Sequence, residues 1–190
     1  MTAEPAGQVM WSPDPVRQRR RDFTIEDVLK FPDDAPRVEL DDGVVVVVPK
    51  PSLDHNDIAN LVWWWLRQNA PEEFRPGTEV GVAAGFRTSL EPDVLLLRQP
   101  VVSRHFYDPA QVELVVEVVS PGSRRRDRFE KPELYARAGV RHHWRIEQDP
   151  VHIYAYDLVS GAYELVADAD EELVLSAPFE IRLPIRDITP

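Results

Sequence analysis

Apolar residues recur along this chain with two different periods, and the switches between them mark its elements. In SLDHNDIANLVWWWLRQNA, residues Ile58, Leu61, Val62, Trp65 and Leu66 fall at helical spacing. That spacing predicts an amphipathic helix laid on a sheet, with Ser52 or Asp54 as its N-cap. His55 lies at the edge of this apolar face, one turn before the aliphatic cluster, and Trp63 lies well off it, free to meet a partner surface. Period-two and continuous apolar runs predict strands. VELDDGVVVVVP reads as a hairpin turning at Asp-Asp-Gly, TEVGVAAGFRT and EPDVLLLR as further strands, and VELVVEVVS and HHWRIEQ as two more. The last 40 or so residues read as a hairpin around Ser160 and Gly161 and a final strand or two.

Shorter signals fill the gaps. Thr24 caps a helix in TIEDVLKF, with Asp27 three residues on as an acidic form of the capping box. EKPELYARAG is a helix that Gly139 ends in the left-handed conformation, with Lys131 at its entrance because Pro132 is tolerated only in a first turn. Residues 1–22 are rich in Pro, Gln and Arg, show no periodicity, and read as a flexible tail before a single domain over residues 23–190. Strands interspersed with a few helices make that domain α/β (α+β), a mixed central sheet with flanking helices and an added C-terminal β-hairpin region.

Composition narrows the chemistry. No run of 18 apolar residues and no apolar leader occur, so the expectation is a cytoplasmic protein with no membrane span. With no cysteine in the chain, disulfides, thiolate metal sites and cysteine nucleophiles are excluded. The formal net charge of -11 argues against electrostatic coating of nucleic acid, which wants a basic surface. It leaves room for an enzyme acting on DNA, because divalent metals on clustered carboxylates reverse the local sign. The positive charge is also concentrated, in Arg17, Arg19, Arg20 and Arg21 and again in Arg124, Arg125, Arg126 and Arg128. Each run reads otherwise as a solvated charged face.

The feature that needs explaining is a carboxylate, Glu117, in the middle of the apolar strand ELVVEVVS. An unpartnered buried carboxylate costs several kcal/mol or takes up a proton, so Glu117 must face solvent, a cation or a metal. Alternation places Glu113, Val115, Glu117 and Val119 on one face of the strand and Leu114, Val116, Val118 and Ser120 on the other. Two readings remain open on that basis: an amphipathic strand whose glutamates meet water, or a site built into an apolar face. Asp93 stands at the mouth of the strand VLLL, behind Pro92, which cannot donate to a ladder. His142 and His143, as strand neighbours, point to opposite faces and cannot chelate one metal together.

Glu91-Pro92-Asp93-Val94, then Leu114 through Pro121, then Arg126-Asp127-Arg128, Lys131, Leu134-Tyr135, Ala138-Gly139-Val140 and Trp144 together resemble the signature of the Uma-two family of restriction-endonuclease-type proteins, within the PD-(D/E)XK nuclease superfamily. The likeness runs from about Phe23 to Ile188. It implies a central sheet of restriction-endonuclease-like type, with Asp93 and Glu117 as ligands of Mg2+ (or Mn2+), the main-chain carbonyl of Val118 as a further ligand, and His55 and Glu39 near the site. Such a pair of carboxylates holding a hard cation suits phosphodiester hydrolysis. The superfamily lysine belongs two residues after the glutamate, where this chain has Val119. The resemblance implies that Lys131 replaces it from the following helix, stabilising charge at the phosphate.

The resulting expectation is a metal-dependent endonuclease acting on DNA, with Arg124, Arg125, Arg126 and Arg128 on the phosphate backbone. The alternative is a nuclease-fold module that binds DNA or regulates without efficient catalysis, as the displaced lysine and acidic surface would suit. A double-strand cutter of this size needs two active sites, and Trp63 with the last strands offers a homodimer surface.

Overall fold

A computed structural model describes residues 22–32 and 34–190. The expected tail, apart from Asp22, lies outside the described residues together with Arg17, Arg19, Arg20 and Arg21. Thr24 caps a short helix, α1 (Ile25–Val28), through a reciprocal capping box with Asp27. The first hairpin joins β1 (Val38–Asp41) to β2 (Val44–Val47). Its two turn residues, Asp42 at φ 45 and Gly43 at φ 80, are both left-handed, which matches the twist of the flanking strands.

Two larger sheets follow. β1 and β2 belong to a five-stranded sheet with β4 (Gly81–Gly85), β5 (Thr88–Leu90) and the two-residue β7 (Phe106–Tyr107), in the order β2-β1-β5-β4-β7. The central sheet has six strands. They are β3 (Phe74–Gly77), β6 (Val94–Arg98), β8 (Val112–Val118), β9 (His142–Gln148), β10 (Val151–Val159) and β11 (Ala162–Ala169), in the order β11-β10-β9-β8-β6-β3. The β8–β9 pair is parallel and its neighbours are antiparallel, so the sheet is mixed as expected. The hairpin at Ser160 and Gly161 forms β10 and β11 and extends this sheet, while β12 (Glu172–Leu175) and β13 (Ile181–Pro184) pair with each other.

Both faces of the central sheet are covered. The helix α2 (Leu53–Asn69), capped by Ser52, lays Ile58, Val62 and Leu66 on Leu96, Leu114, Val116 and Trp144. On the opposite face Leu95, Leu97 and Val115 pack with Tyr135 and Val140, and with Val82, Leu90 and Tyr107 from the five-stranded sheet. All seven residues of β8 are therefore buried, which removes the water-facing reading of its glutamates.

Four details depart from the sequence reading. β3 was not among the expected strands; it contains Pro76, and as an edge strand it tolerates a residue that cannot donate. β7 is too short to carry a periodic signal. Trp63 packs against the core and its neighbour Trp64 is the exposed one; the C-terminal turn Ile185–Ile188, which packs on α2, joins the same apolar cluster. Finally, Lys131 is not at a helix entrance. The backbone is helical from Arg124, and a π-helical turn over Arg126–Glu130 leads directly into α3 (Lys131–Ala138). The Lys131 N–H donates to the Arg126 carbonyl, five residues back. That wider turn accommodates the Pro132 ring, which would clash with the carbonyl four residues before it in an α-helix. No helix among the described residues is long and apolar enough to cross a membrane.

Gly139 ends α3 at φ 84, and a Cβ there would meet no atom within 4 Å. Gly139→Ala therefore carries a backbone cost alone, about 1–2 kcal/mol, and Gly139→Asn a smaller one. Urea denaturation of the three proteins checks both the size and the order.

Candidate active site

The ends of β6 and β8 build the site. Their register pairs Val94 with Val116 and Leu95 with Val115, so one step further sets Asp93 across from Glu117 on one sheet face. Asp93 Oδ2 accepts the Val118 N–H at 2.8 Å, and His55 Nε2, from the first turn of α2, donates to the same oxygen at 3.2 Å. Glu117 is 1% exposed. Its Oε2 receives the Lys131 ammonium at 2.8 Å and its Oε1 the Tyr135 hydroxyl at 2.7 Å. Lys131 Nζ also lies 3.2 Å from Glu39 Oε1 and 3.3 Å from Asp127 Oδ1. Glu39 comes from β1, in the other large sheet, and is held by the Glu91 N–H at 3.0 Å and by Arg126 Nε at 2.9 Å. Asp93, Glu117, Val118, His55, Asp127 and Lys131 line one pocket.

Asp93, Glu117, Lys131, His55 and Glu39, singled out in the sequence along with the Val118 backbone, are thus brought together. Asp127, Tyr135, Arg37 and Glu91 were missed. Asp127, Lys131 and Tyr135 are spaced four apart in a helical run, and that spacing is a signal that could have found them. Arg37 pairs with Glu91 through a contact between residues 54 apart, which no local pattern announces. Ser123 donates a short hydrogen bond to Asp127.

The site holds more carboxyl groups than cationic ones. Glu39, Glu91, Asp93, Glu117 and Asp127 face Arg37, Arg126, Lys131 and the His55 imidazole among the described residues. Burial drives the Glu117 carboxyl well above its ordinary pKa; Lys131 opposes this, and the charges of Asp127, Asp93 and Glu39 add to it. Burial also raises Asp127. Burial works against the charged form of Asp93 too, but there the hydrogen bond and charge of His55 prevail and hold it below the usual range. Lys131 is raised well above an ordinary lysine, since Glu117, Glu39 and Asp127 outweigh the cost of burying it. It is therefore a permanent cation and cannot act as a base near neutral pH. Tyr135, raised by burial and by the charge of Glu117, stays a phenol that donates.

Among the described residues no three His, Asp or Glu side chains form a ready-made metal cluster. The donor set nonetheless suits a hard cation that keeps several of its waters, which needs one or two carboxylates rather than a full protein cage. Each carboxylate oxygen has two acceptor sites, so the hydrogen bonds to Asp93 and Glu117 leave lone pairs for a ligand. The surplus of carboxylates over cationic groups favours added positive charge.

The basic run does not form one face. Arg126 is turned inward onto Glu39, and Arg128 makes a two-point contact with Glu147 at 2.9 and 2.8 Å. Arg125 is exposed beside Glu130, and Arg124 projects outward. His142 and His143 do point to opposite faces. His142 Nδ1 lies 2.6 Å from Asp157, while His143 is fully buried against the ring of Tyr163, and burial pushes its pKa down to about 3.

A comparison with solved structures finds the same fold in a "putative nuclease belonging to DUF820" from Anabaena variabilis ATCC 29413. That match has a TM-score of 0.71 at 20% identity and covers 87% of this chain and 97% of the other. A comparison with curated proteins gives no match. The model of the Uma2 family, described as "Putative restriction endonuclease", matches residues 25–186, which include every side chain of the site, and the chain belongs to that family.

Proposed function

We propose that this member of a nuclease family is a divalent-metal-dependent endonuclease that hydrolyses phosphodiester bonds in DNA. The observation that carries the reading is the pairing of Asp93 and Glu117 across neighbouring strands, in a pocket whose carboxylates outnumber its cations and which contains a buried ammonium. Mg2+ or Mn2+ held by Asp93, Glu117 and the Val118 carbonyl would supply a Lewis acid and ease the deprotonation of water. The protein's own groups do the rest. His55 and the Val118 N–H fix Asp93, and Tyr135 fixes Glu117. Lys131, charged at every working pH, is placed to stabilise negative charge growing on a phosphate oxygen. Glu39 and Asp127 hold that ammonium in place.

A second reading, a DNA-binding or regulatory module without efficient catalysis, draws on one observation: three carboxylates already engage Lys131, so a phosphate must compete for it. Nicking of supercoiled plasmid separates the two. On the endonuclease reading, wild type titrated with Mn2+ in a calorimeter binds it and nicks plasmid, while Glu117→Gln does neither and remains folded. Metal binding without nicking favours the module, and no binding at all removes the metal site.

Lys131→Ala is expected to lower nicking by about 10²-fold or more. It also leaves Glu117 and Asp127 buried without their cation and Glu39 with Arg126 alone, so the metal-free variant should lose about 3–5 kcal/mol of stability. Mg2+ should restore part of that loss, because added positive charge replaces the missing ammonium. Urea unfolding with and without Mg2+, alongside the plasmid assay, tests both effects.

Arg124 and Arg125 are the arginines of the run that remain outward, and we assign them to the phosphate backbone. Their double alanine variant should weaken binding equally for unrelated DNA sequences and reduce the slope of log affinity against log salt by about 0.9 per lost contact. Its folding stability should match wild type, because exposed charges contribute little. Binding in Ca2+ across a salt series measures the slope, and an unchanged slope assigns both arginines to solvent.

A further inference from the structure

We infer that Pro92 is a positioning residue whose missing N–H keeps the Val118 carbonyl available to a cation, an inference that rests on the metal site proposed above. The argument comes from the register of β8. The Val119 N–H donates to the Ile146 carbonyl at 2.8 Å, so the odd-numbered residues at this end of β8 turn their backbone groups toward β9. Val116 and Val118 consequently turn theirs toward β6. Val94 pairs with Val116, and continuing the antiparallel register by two residues brings residue 92 opposite Val118.

At that rung a residue with an N–H would donate to the Val118 carbonyl and extend the ladder. Proline has none. The other half of the rung is diverted as well, since the Val118 N–H goes to the Asp93 carboxylate at 2.8 Å rather than to the backbone of residue 92. The ladder thus stops where the pocket begins. Val118 presents its N–H to Asp93 and leaves its carbonyl without a donor from the neighbouring strand. Pro92 is buried, and Val118 lines the same pocket as Asp93 and Glu117. From outside the sheet the His55 imidazole, carried on α2, hydrogen-bonds that carbonyl, whose second lone pair is left for a cation. Strand pairing therefore does not consume this oxygen, and the dipeptide Pro92-Asp93 contributes two things to one site: a carboxylate from its second residue and a vacated carbonyl across the strand from its first.

The test separates the missing N–H from the rigidity of the ring. Pro92→Ala restores an N–H and removes the ring. A lactic acid residue placed at position 92 by nonsense suppression also removes the ring, but its ester linkage has no N–H. Mn2+ affinity, followed by electron paramagnetic resonance, should fall about 10- to 100-fold in Pro92→Ala and return close to the wild-type value in the lactate variant. The new amide at residue 92 should be protected from hydrogen exchange in the metal-free protein, as a ladder bond requires. If Pro92→Ala binds Mn2+ as tightly as wild type, or if the lactate variant is as weak as Pro92→Ala, the positioning role is overturned while the metal site stands. If wild type itself binds no Mn2+, the site reading fails, and this inference fails with it.

Discussion

The Lys131 ammonium is the constraint on which the arrangement depends. It is buried, and it contacts carboxylates from three separate pieces of structure: Glu117 on the central sheet, Glu39 on the five-stranded sheet and Asp127 one turn back on its own helical run. A single buried charge would be costly, and here each member is tolerable only because the others are present. The same contact pins the two large sheets and α3 to one point. Tyr135, one turn further on, completes the contact to Glu117, so three side chains spaced four apart deliver a carboxylate, a cation and a neutral donor to one cluster. Carboxyl groups still outnumber cationic ones, and that surplus separates a candidate catalytic pocket from a closed structural ion-pair network.

Much of the fold was legible because local chemistry decides it. Asp42 and Gly43 take the left-handed conformations a tight hairpin needs, Ser52 caps α2, and Gly139 ends α3, each where the residue type is selected by backbone geometry. What escaped depended on tertiary partners. Nothing local distinguishes Trp63 from Trp64; the C-terminal turn that joins the apolar cluster against which Trp63 packs arrives more than a hundred residues later. For the site, Asp93 and Glu117 were recognisable through a resemblance to a family, because periodicity alone left Glu117 equally suited to water. Only the covering of both sheet faces resolves that ambiguity. Arg126 shows the converse, since a run of arginines reads as one basic surface until one of them is turned inward to neutralise Glu39.

The position of the lysine is the clearest departure from the pattern that the sequence resemblance implied, and the structure supplies a physical account of it. Val119, which occupies the expected place, is buried beyond the end of β8, and its carbonyl accepts the Gln148 side chain at 2.7 Å. A helix offers the ammonium a different approach, from above the sheet face that carries Glu117. An ordinary α-helix could not run smoothly through this stretch, because Pro132 obstructs the carbonyl four residues behind it. The π turn at Arg126–Glu130 absorbs that obstruction, and the Lys131 N–H reaches back five residues to Arg126. Proline, π turn and lysine thus form one unit. The ring imposes the wider turn, and the wider turn carries a helical run that aims Asp127 and Lys131 together at Glu117. In the endonuclease proposed above, a lysine on a flexible loop would have to order its side chain for each turnover. Held by this helix and three carboxylates, it loses that freedom on folding instead, before any substrate arrives.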